Sequence, residues 1–184
     1  IHIGGMYGDA QATADRWIKS WMSLSDNLKK RLVIENDDKP SMWSVQMLYD
    51  YFYTVIGIPI TFDYFHHSFH PDGLTEEEAL LLAATTWPDN ITQCTHYSES
   101  RREEKRRSIM RMCEENNIDF DELDDWPTLG KLKKDWLKIR VQAHADYCKK
   151  PIDTYGLDID IMLEAKAKEH ALFESMKINK EILV

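Results

Sequence analysis

The chain has 184 residues, of which 43% are hydrophobic, enough for one domain with a real core. No run approaches the roughly 18 apolar residues of a membrane span, and no charged-then-apolar signal opens the chain. Cys94, Cys113 and Cys148 form an odd, scattered set without CxxC, which argues against a disulfide framework or a zinc ribbon and for a reducing compartment. The expectation is therefore an intracellular protein, cytoplasmic or, in a eukaryote, nuclear or mitochondrial, with no membrane and no obligate protein partner. A formal net charge of -9 opposes wholesale coating of nucleic acid, because that affinity comes from Lys and Arg on phosphates. It leaves room for a DNA enzyme, since bound divalent ions would offset carboxylates where a phosphate has to sit.

The chain opens on Ile1-His-Ile-Gly-Gly, a β-branched pattern that carries His2 and starts without Met, as a piece of a longer protein would. After the turn at Tyr7-Gly8-Asp9, Ala14, Trp17, Ile18 and Trp21 recur at helical spacing between Ala10 and about Leu24. A strand from Arg31 to Glu35 follows. Ser41 is expected to cap a helix through Val45, Leu48, Phe52 and Val55 that stops at Gly57. Ile58 to Asp63 reads as the next strand, with Pro59 at its start, where a missing donor is tolerated. Thr75-Glu-Glu-Glu78 is a capping box ahead of Ala79 to Ala84, and Pro88-Asp-Asn90 turns the chain into a strand from Ile91 to His96. A strand from Asp158 to Glu164 and a helix from Ala165 to about Met176 close the chain.

Strands alternating with helices imply a parallel sheet with right-handed crossovers. Five strands without a hairpin fit part of an eight-stranded barrel or an open doubly wound sheet. The barrel is favoured because each strand ends in a metal-ligand type, and barrel enzymes build their sites at the C-terminal ends of the strands. The expected fold is α/β, an incomplete TIM (β/α)8-type barrel of about five of the eight units, forming one domain over residues 1–184.

One segment breaks the rhythm, from Arg101 to about Val141. Its charge runs basic, then acidic from Glu114 to Asp125, then basic again, and its apolar residues suffice for two helices joined by an acidic turn. The simpler reading is a helical insertion with solvated charges, its basic ends paired with the acidic turn. The sharper one is a lid or arm that touches DNA through Arg101, Arg102, Lys105, Arg106 and Arg107.

Phosphodiester hydrolysis needs an activated water and neutralised charge on the attacking and leaving oxygens, which two or three divalent ions supply. Glu35, alone at the end of Leu-Val-Ile, is the natural bridging carboxylate, although a carboxylate there could instead cap the next helix. Asp63-Tyr-Phe-His66 offers two ligands three residues apart, with His67 and His70 in the same loop. His96 and Glu164 complete an inner set, and His144 with Asp146 suits an outer ion.

Ile1-His-Ile-Gly-Gly-Met-Tyr-Gly-Asp9, Leu32-Val-Ile-Glu-Asn-Asp-Asp38, Phe62-Asp-Tyr-Phe-His-His67, His96-Tyr-Ser98, His144-Ala-Asp-Tyr147 and Asp160-Ile-Met-Leu-Glu-Ala-Lys-Ala-Lys168 resemble, in order, the signature blocks of the UV damage endonucleases. That family is a TIM-barrel group related to the endonuclease IV type of AP endonuclease. The resemblance implies metal-dependent nicking of double-stranded DNA 5′ of UV photoproducts, with action at abasic sites in several members, and manganese ahead of magnesium or zinc.

It also implies roles. His2 would bind one ion, Glu35 would bridge two, Asp63, His96 and Glu164 would hold the second, and His66 with His144 the third. Asn36, Asp37 and Lys39 would shape the loop beside the bridge. The expected DNA contacts are Tyr7, Asn36, Lys39, Tyr97 and Ser98, with Arg101 and Arg102 at the head of the insertion. Three departures accompany the resemblance. The family's first three units, with a further histidine, are missing, so that this chain alone is expected to be inactive. Cys94 stands where members generally have a lysine, and the insertion exceeds the usual connection in compact bacterial members. Two other readings stay open, a metal-dependent sugar isomerase of related barrel type and a truncated barrel kept as an interaction module.

Overall fold

The computed structural model describes residues 1–180, and the chain divides into two compact units. The first comprises Ile1–Tyr97 with Asp153–Met162, and the second Ser98–Ile152 with the chain from Leu163 onward. Among the described residues no helix is long and apolar enough to cross a membrane.

Four strands form one sheet in sequential order: β1 (Ile34–Glu35), β2 (Ile60–Asp63), β3 (Gln93–Tyr97) and β4 (Ile159–Leu163). β1 pairs with β2 and β2 with β3, both parallel, and the intervening chain is helical, as barrel order requires. Each strand is one to three residues shorter than the sequence pattern suggests. The expected strand at Ile1 is reduced to a single pairing. The Ile1 amino group donates to the Val33 carbonyl at 2.8 Å and the Glu35 N–H donates to the Ile1 carbonyl at 3.1 Å, the two bonds of a parallel bridge beside Ile34. Gly4 at φ +93 then turns the backbone out of the β region, so the ladder cannot continue.

The core of the first unit is aromatic and aliphatic. Trp43, Phe52, Phe62, Ile34, Leu48, Ile58, Ile60 and Leu80 are fully buried, and Trp43 meets the Phe52 ring edge-on at 4.9 Å. Ala10–Met22 forms as expected, with the Asp9 carboxylate accepting from the Ala12 N–H. The cap of the next long helix is Ser44 rather than Ser41. Its hydroxyl oxygen accepts from the Met47 N–H at 3.1 Å, and the helix runs through a π turn, Tyr49–Tyr53, to Thr54–Ile56. Gly57 ends it at φ +67, a conformation that costs a side chain energy and glycine none. The capping box at Thr75 and Glu78 is present and opens Glu76–Ala84. The last helix, Glu169–Ile178, begins four residues later than its apolar pattern implied.

In the second unit, Arg101–Asn116 and Pro127–Leu137 are the two helices expected of the insertion, joined through a short 3₁₀ turn, Leu123–Asp125. They carry a core of their own. Ile109, Cys113 and Leu123 are buried there, with Ile118, Phe120, Leu129 and Trp136 packed around them.

Candidate metal centre

The register of the first unit decides which side chains meet. Asp63 of β2 lies opposite His96 of β3, and Glu35 of β1 lies opposite Thr61, two residues before Asp63. Paired residues of a parallel sheet point to the same face, as do residues two apart on one strand. Glu35, Asp63 and His96 therefore share one face, and the bridge at Ile1 sets His2 next to Glu35 on that face.

Glu35 is the hub. Its Oε1 lies 3.1 Å from His96 Nδ1 and 3.6 Å from His66 Nδ1, and its Oε2 lies 3.6 Å from His2 Nε2. The carboxylate is 6% exposed; burial alone would push its pKa up, yet the hydrogen bond from His96 and the charges of His96, His2 and His66 bring it below the usual carboxylate range. It does not cap a helix. Asp63 does, with Oδ1 accepting from the His66 N–H at 2.8 Å, while its Oδ2 lies 3.6 Å from His66 Nδ1. Its register is fixed by Asn36, whose amide donates to the Asp63 carbonyl at 3.0 Å and accepts from the Asp63 N–H at 2.8 Å.

Two overlapping donor groups result, His2 with Glu35 and His66, and Glu35 with Asp63 and His96, the atoms of each lying within 4.8 Å of one another. Imidazole and carboxylate donors of this kind fit divalent manganese, zinc or magnesium better than a soft ion. The residues behind the donors fit as well. His2 Nδ1 meets Asp37 Oδ1 at 2.8 Å, which turns its Nε2 toward Glu35, and the Asn36 carbonyl steadies the His66 ring at Nδ1, 2.9 Å away. The hydrogen bond to Asp37 raises the His2 pKa against its partial burial, with help from the Glu35 charge. The buried Thr61 hydroxyl, on the site face, has no hydrogen-bond partner among the described residues, as befits a face built for polar occupants.

The second unit holds the two remaining expected ligands, His144 and Glu164. His144 Nδ1 lies 2.9 Å from the Glu164 carbonyl and 3.5 Å from Glu164 Oε2. Asp146, expected to serve an outer ion with His144, has cationic neighbours. Its carboxylate faces Arg101 at 4.0 Å and Lys105 at 3.9 Å. His67 and His70, from the same loop, are buried and belong to neither donor group; His67 packs on Phe62 with ring centroids 5.3 Å apart, and burial lowers its pKa.

The residues expected to touch DNA divide. Tyr7 is 87% exposed and Lys39 is exposed. Asn36 is buried with both ends of its amide spent on Asp63, Tyr97 is buried with its ring against Tyr64, and the buried Ser98 hydroxyl donates to the Glu164 carbonyl at 3.1 Å. Arg101 faces Asp146, and the Arg102 guanidinium lies over the Trp136 ring at 5.3 Å. Cys94, two residues before His96, is partly buried on the site face; burial and then the charges of Asp160 and Glu35 push its thiol pKa up. Asp37 was legible only as a loop residue, because nothing local in the sequence says that it meets a histidine 35 positions away.

A family model described as UV-endonuclease UvdE matches residues 1–183. The chain is 33% identical over 182 residues to a UV-damage endonuclease of Schizosaccharomyces pombe, covering 95% of this chain and 24% of that protein. It is 31% identical over 177 residues to a UV DNA damage endonuclease of Bacillus velezensis, covering 94% of this chain and 45% of that protein. Among solved structures, "Crystal Structure of SacUVDE" aligns with a TM-score of 0.68 at 27% identity over 99% of this chain and 50% of that one, in keeping with four strands of a TIM barrel. This chain thus spans half or less of the length of these relatives, and on its sequence, strand order and fold it belongs to the UV-endonuclease UvdE family.

Proposed function

We propose that this chain carries the metal centre of a DNA repair endonuclease that hydrolyses a phosphodiester 5′ of UV photoproducts in double-stranded DNA, and also acts at abasic sites. The observation that carries the reading is one buried carboxylate, Glu35, approached by the imidazoles of His2, His66 and His96, with Asp63 alongside. Family membership supports a repair nuclease on DNA.

His2, Glu35, Asp63, His66 and His96 would hold two divalent ions, manganese ahead of magnesium or zinc, and His144 with Glu164 a further one. Such ions, when bound, supply a water that loses its proton near neutral pH and neutralise charge on the phosphate oxygens. The protein's own share is orientation. Glu35 stays anionic at neutral pH, so the centre need not shed a proton there on loading. Asp37 and the Asn36 carbonyl hold the rings of His2 and His66, and Asp63 is fixed by its cap and by Asn36. Tyr7 and Lys39, exposed on loops of the same unit, are the expected contacts that remain open to a DNA backbone.

The test is nicking of UV-irradiated supercoiled plasmid in Mn²⁺ by a protein that joins this chain to the barrel units expected ahead of it, with the cut mapped on an end-labelled duplex holding one photoproduct. Cleavage 5′ of the lesion that vanishes on chelation and in Glu35→Gln is the expected result. Equal nicking of unirradiated plasmid, or full activity in Glu35→Gln, would overturn the reading.

A further inference from the structure

The loop that carries His144 is held from one side by the chain after Glu164, where the Lys166 and Ala167 N–H groups donate to the Ala145 and Asp146 carbonyls at 3.0 Å, and from the other by side and main chain at the head of the insertion. Ser100 pairs with His144 in an antiparallel bridge, the Arg101 N–H donates to the Ala143 carbonyl at 2.7 Å, and the Ala145 N–H donates to the Glu99 carbonyl at 2.8 Å. Beyond the bridge the loop from Asp146 to Lys150 belongs to no helix or strand, so its N–H groups need other acceptors. Two carboxylates supply them. Glu104 accepts from the Asp146 N–H at 2.9 Å through Oε2 and from the Tyr147 N–H at 3.2 Å through Oε1. Glu99, 5% exposed, accepts through Oε1 from the Lys149 N–H and from the Lys150 N–H, the latter at 2.8 Å. The outer oxygen of Glu99 is held in turn by the Arg107 guanidinium at 3.0 Å.

The basic and acidic residues at the head of the insertion therefore act inward. Charge-assisted hydrogen bonds are the strong ones, and a carboxylate that accepts from two N–H groups fixes both loop position and orientation. We propose that Glu99 and Glu104 are positioning residues that clamp the Asp146–Lys150 backbone and so hold His144 in the orientation, Nδ1 against the Glu164 carbonyl, in which it would serve a divalent ion. Arg107 braces Glu99 in that role. The inference rests on the reading of His144 as a metal ligand, and it gives the insertion a purpose in positioning that residue within the second unit.

The experiment compares Glu99→Gln, Glu104→Gln and Glu104→Asp in the full chain, with Glu103→Gln as an exposed neighbour on the same helix and His144→Ala as reference. At Glu104 the two N–H groups use different oxygens, so Gln, with one acceptor oxygen and an NH₂, keeps only one of them, whereas Asp keeps both acceptors on a shorter arm. At Glu99 one oxygen takes both N–H groups, and Gln there removes the charge behind those bonds and sets its NH₂ against Arg107. Amide hydrogen exchange is read in the metal-free protein, and Mn²⁺ binding by the free-ion electron paramagnetic resonance signal. The expected result is faster exchange at Asp146 and Tyr147 in Glu104→Gln and at Lys149 and Lys150 in Glu99→Gln. Mn²⁺ binding at the site lost in His144→Ala should weaken roughly tenfold in both, as when partners behind a ligand are removed. Glu104→Asp should recover part of the loss, and Glu103→Gln should change neither readout. If His144→Ala loses a Mn²⁺ site while both Gln variants keep it at wild-type affinity, the clamp is overturned and the ligand reading stands. If His144→Ala binds Mn²⁺ as the wild type does, the ligand reading falls, and this inference with it.

Discussion

Asn36 and Asp63 exchange two hydrogen bonds through one side-chain amide, 3.0 Å to the carbonyl and 2.8 Å from the N–H of Asp63. The amide takes the place of a ladder pair where β1 has ended and β2 has not, and so fixes Asp63 against Glu35 and His96. Replacing Asn36 with Ala leaves a buried N–H and carbonyl unpaired, at a cost of about 1–3 kcal/mol. Urea unfolding should show this as a lower midpoint, and Mn²⁺ titration as weaker binding. An unchanged midpoint would mean that water or a neighbour replaces the amide.

Asp37 acts on the centre through His2. In Asp37→Asn the hydrogen bond that most raises the His2 pKa is lost, so the His2 pKa of the metal-free protein should fall toward or below its ordinary value, as proton NMR titration would report. Mn²⁺ affinity should drop by roughly ten- to a hundredfold, because the ring is no longer steered. A His2 titration curve identical to wild type would show that the pairing does not persist in solution.

Cys94 stands beside the centre without belonging to either donor group. Its thiol pKa is raised, first by burial and then by the charges of Asp160 and Glu35, so at pH 7 it holds less thiolate than a free cysteine. Iodoacetamide should alkylate it more slowly than glutathione, and Cys94→Ala should retain Mn²⁺ binding within about twofold of wild type, given that a neutral thiol is a poor ligand. Loss of binding in Cys94→Ala would make the sulfur a ligand.

Arg102 and Arg106 lie over aromatic rings of the insertion, Trp136 at 5.3 Å and Phe120 at 5.8 Å. Changing both to Gln should cost stability, about 0.5–1 kcal/mol each, and leave the slope of log DNA affinity against log salt unchanged. A slope shallower by about one per residue would instead place these arginines on phosphates.

Gly130 is the closest approach inside the insertion. A Cβ there would stand 2.8 Å from the Leu123 carbonyl oxygen, a main-chain atom held by the 3₁₀ turn. Gly130→Ala gains helix propensity of about 1 kcal/mol, but the clash should outweigh it and lower the melting temperature. A higher melting temperature would show that the turn yields.

The sequence by itself determined the kind of structure and the kind of chemistry. Alternating apolar runs and helical spacings specify strands and helices locally, so the parallel α/β plan, the capping box at Thr75 and Glu78 and the two-helix insertion were all legible. Glu35, Asp63 and His96 were visible as ligand types at strand ends for the same reason. Strand lengths were overread, because Gly4 at φ +93 stops the first pairing and no apolar pattern records that. Only the tertiary structure decided which groups work together. Asp37 reaches His2, Asn36 turns inward to Asp63, and Glu99 and Glu104 take up the backbone beside His144 while the arginines around them face rings and carboxylates. These pairings join residues up to 51 positions apart, and their energy comes from register and from burying polar groups with partners. No local period in the chain encodes that choice of partner.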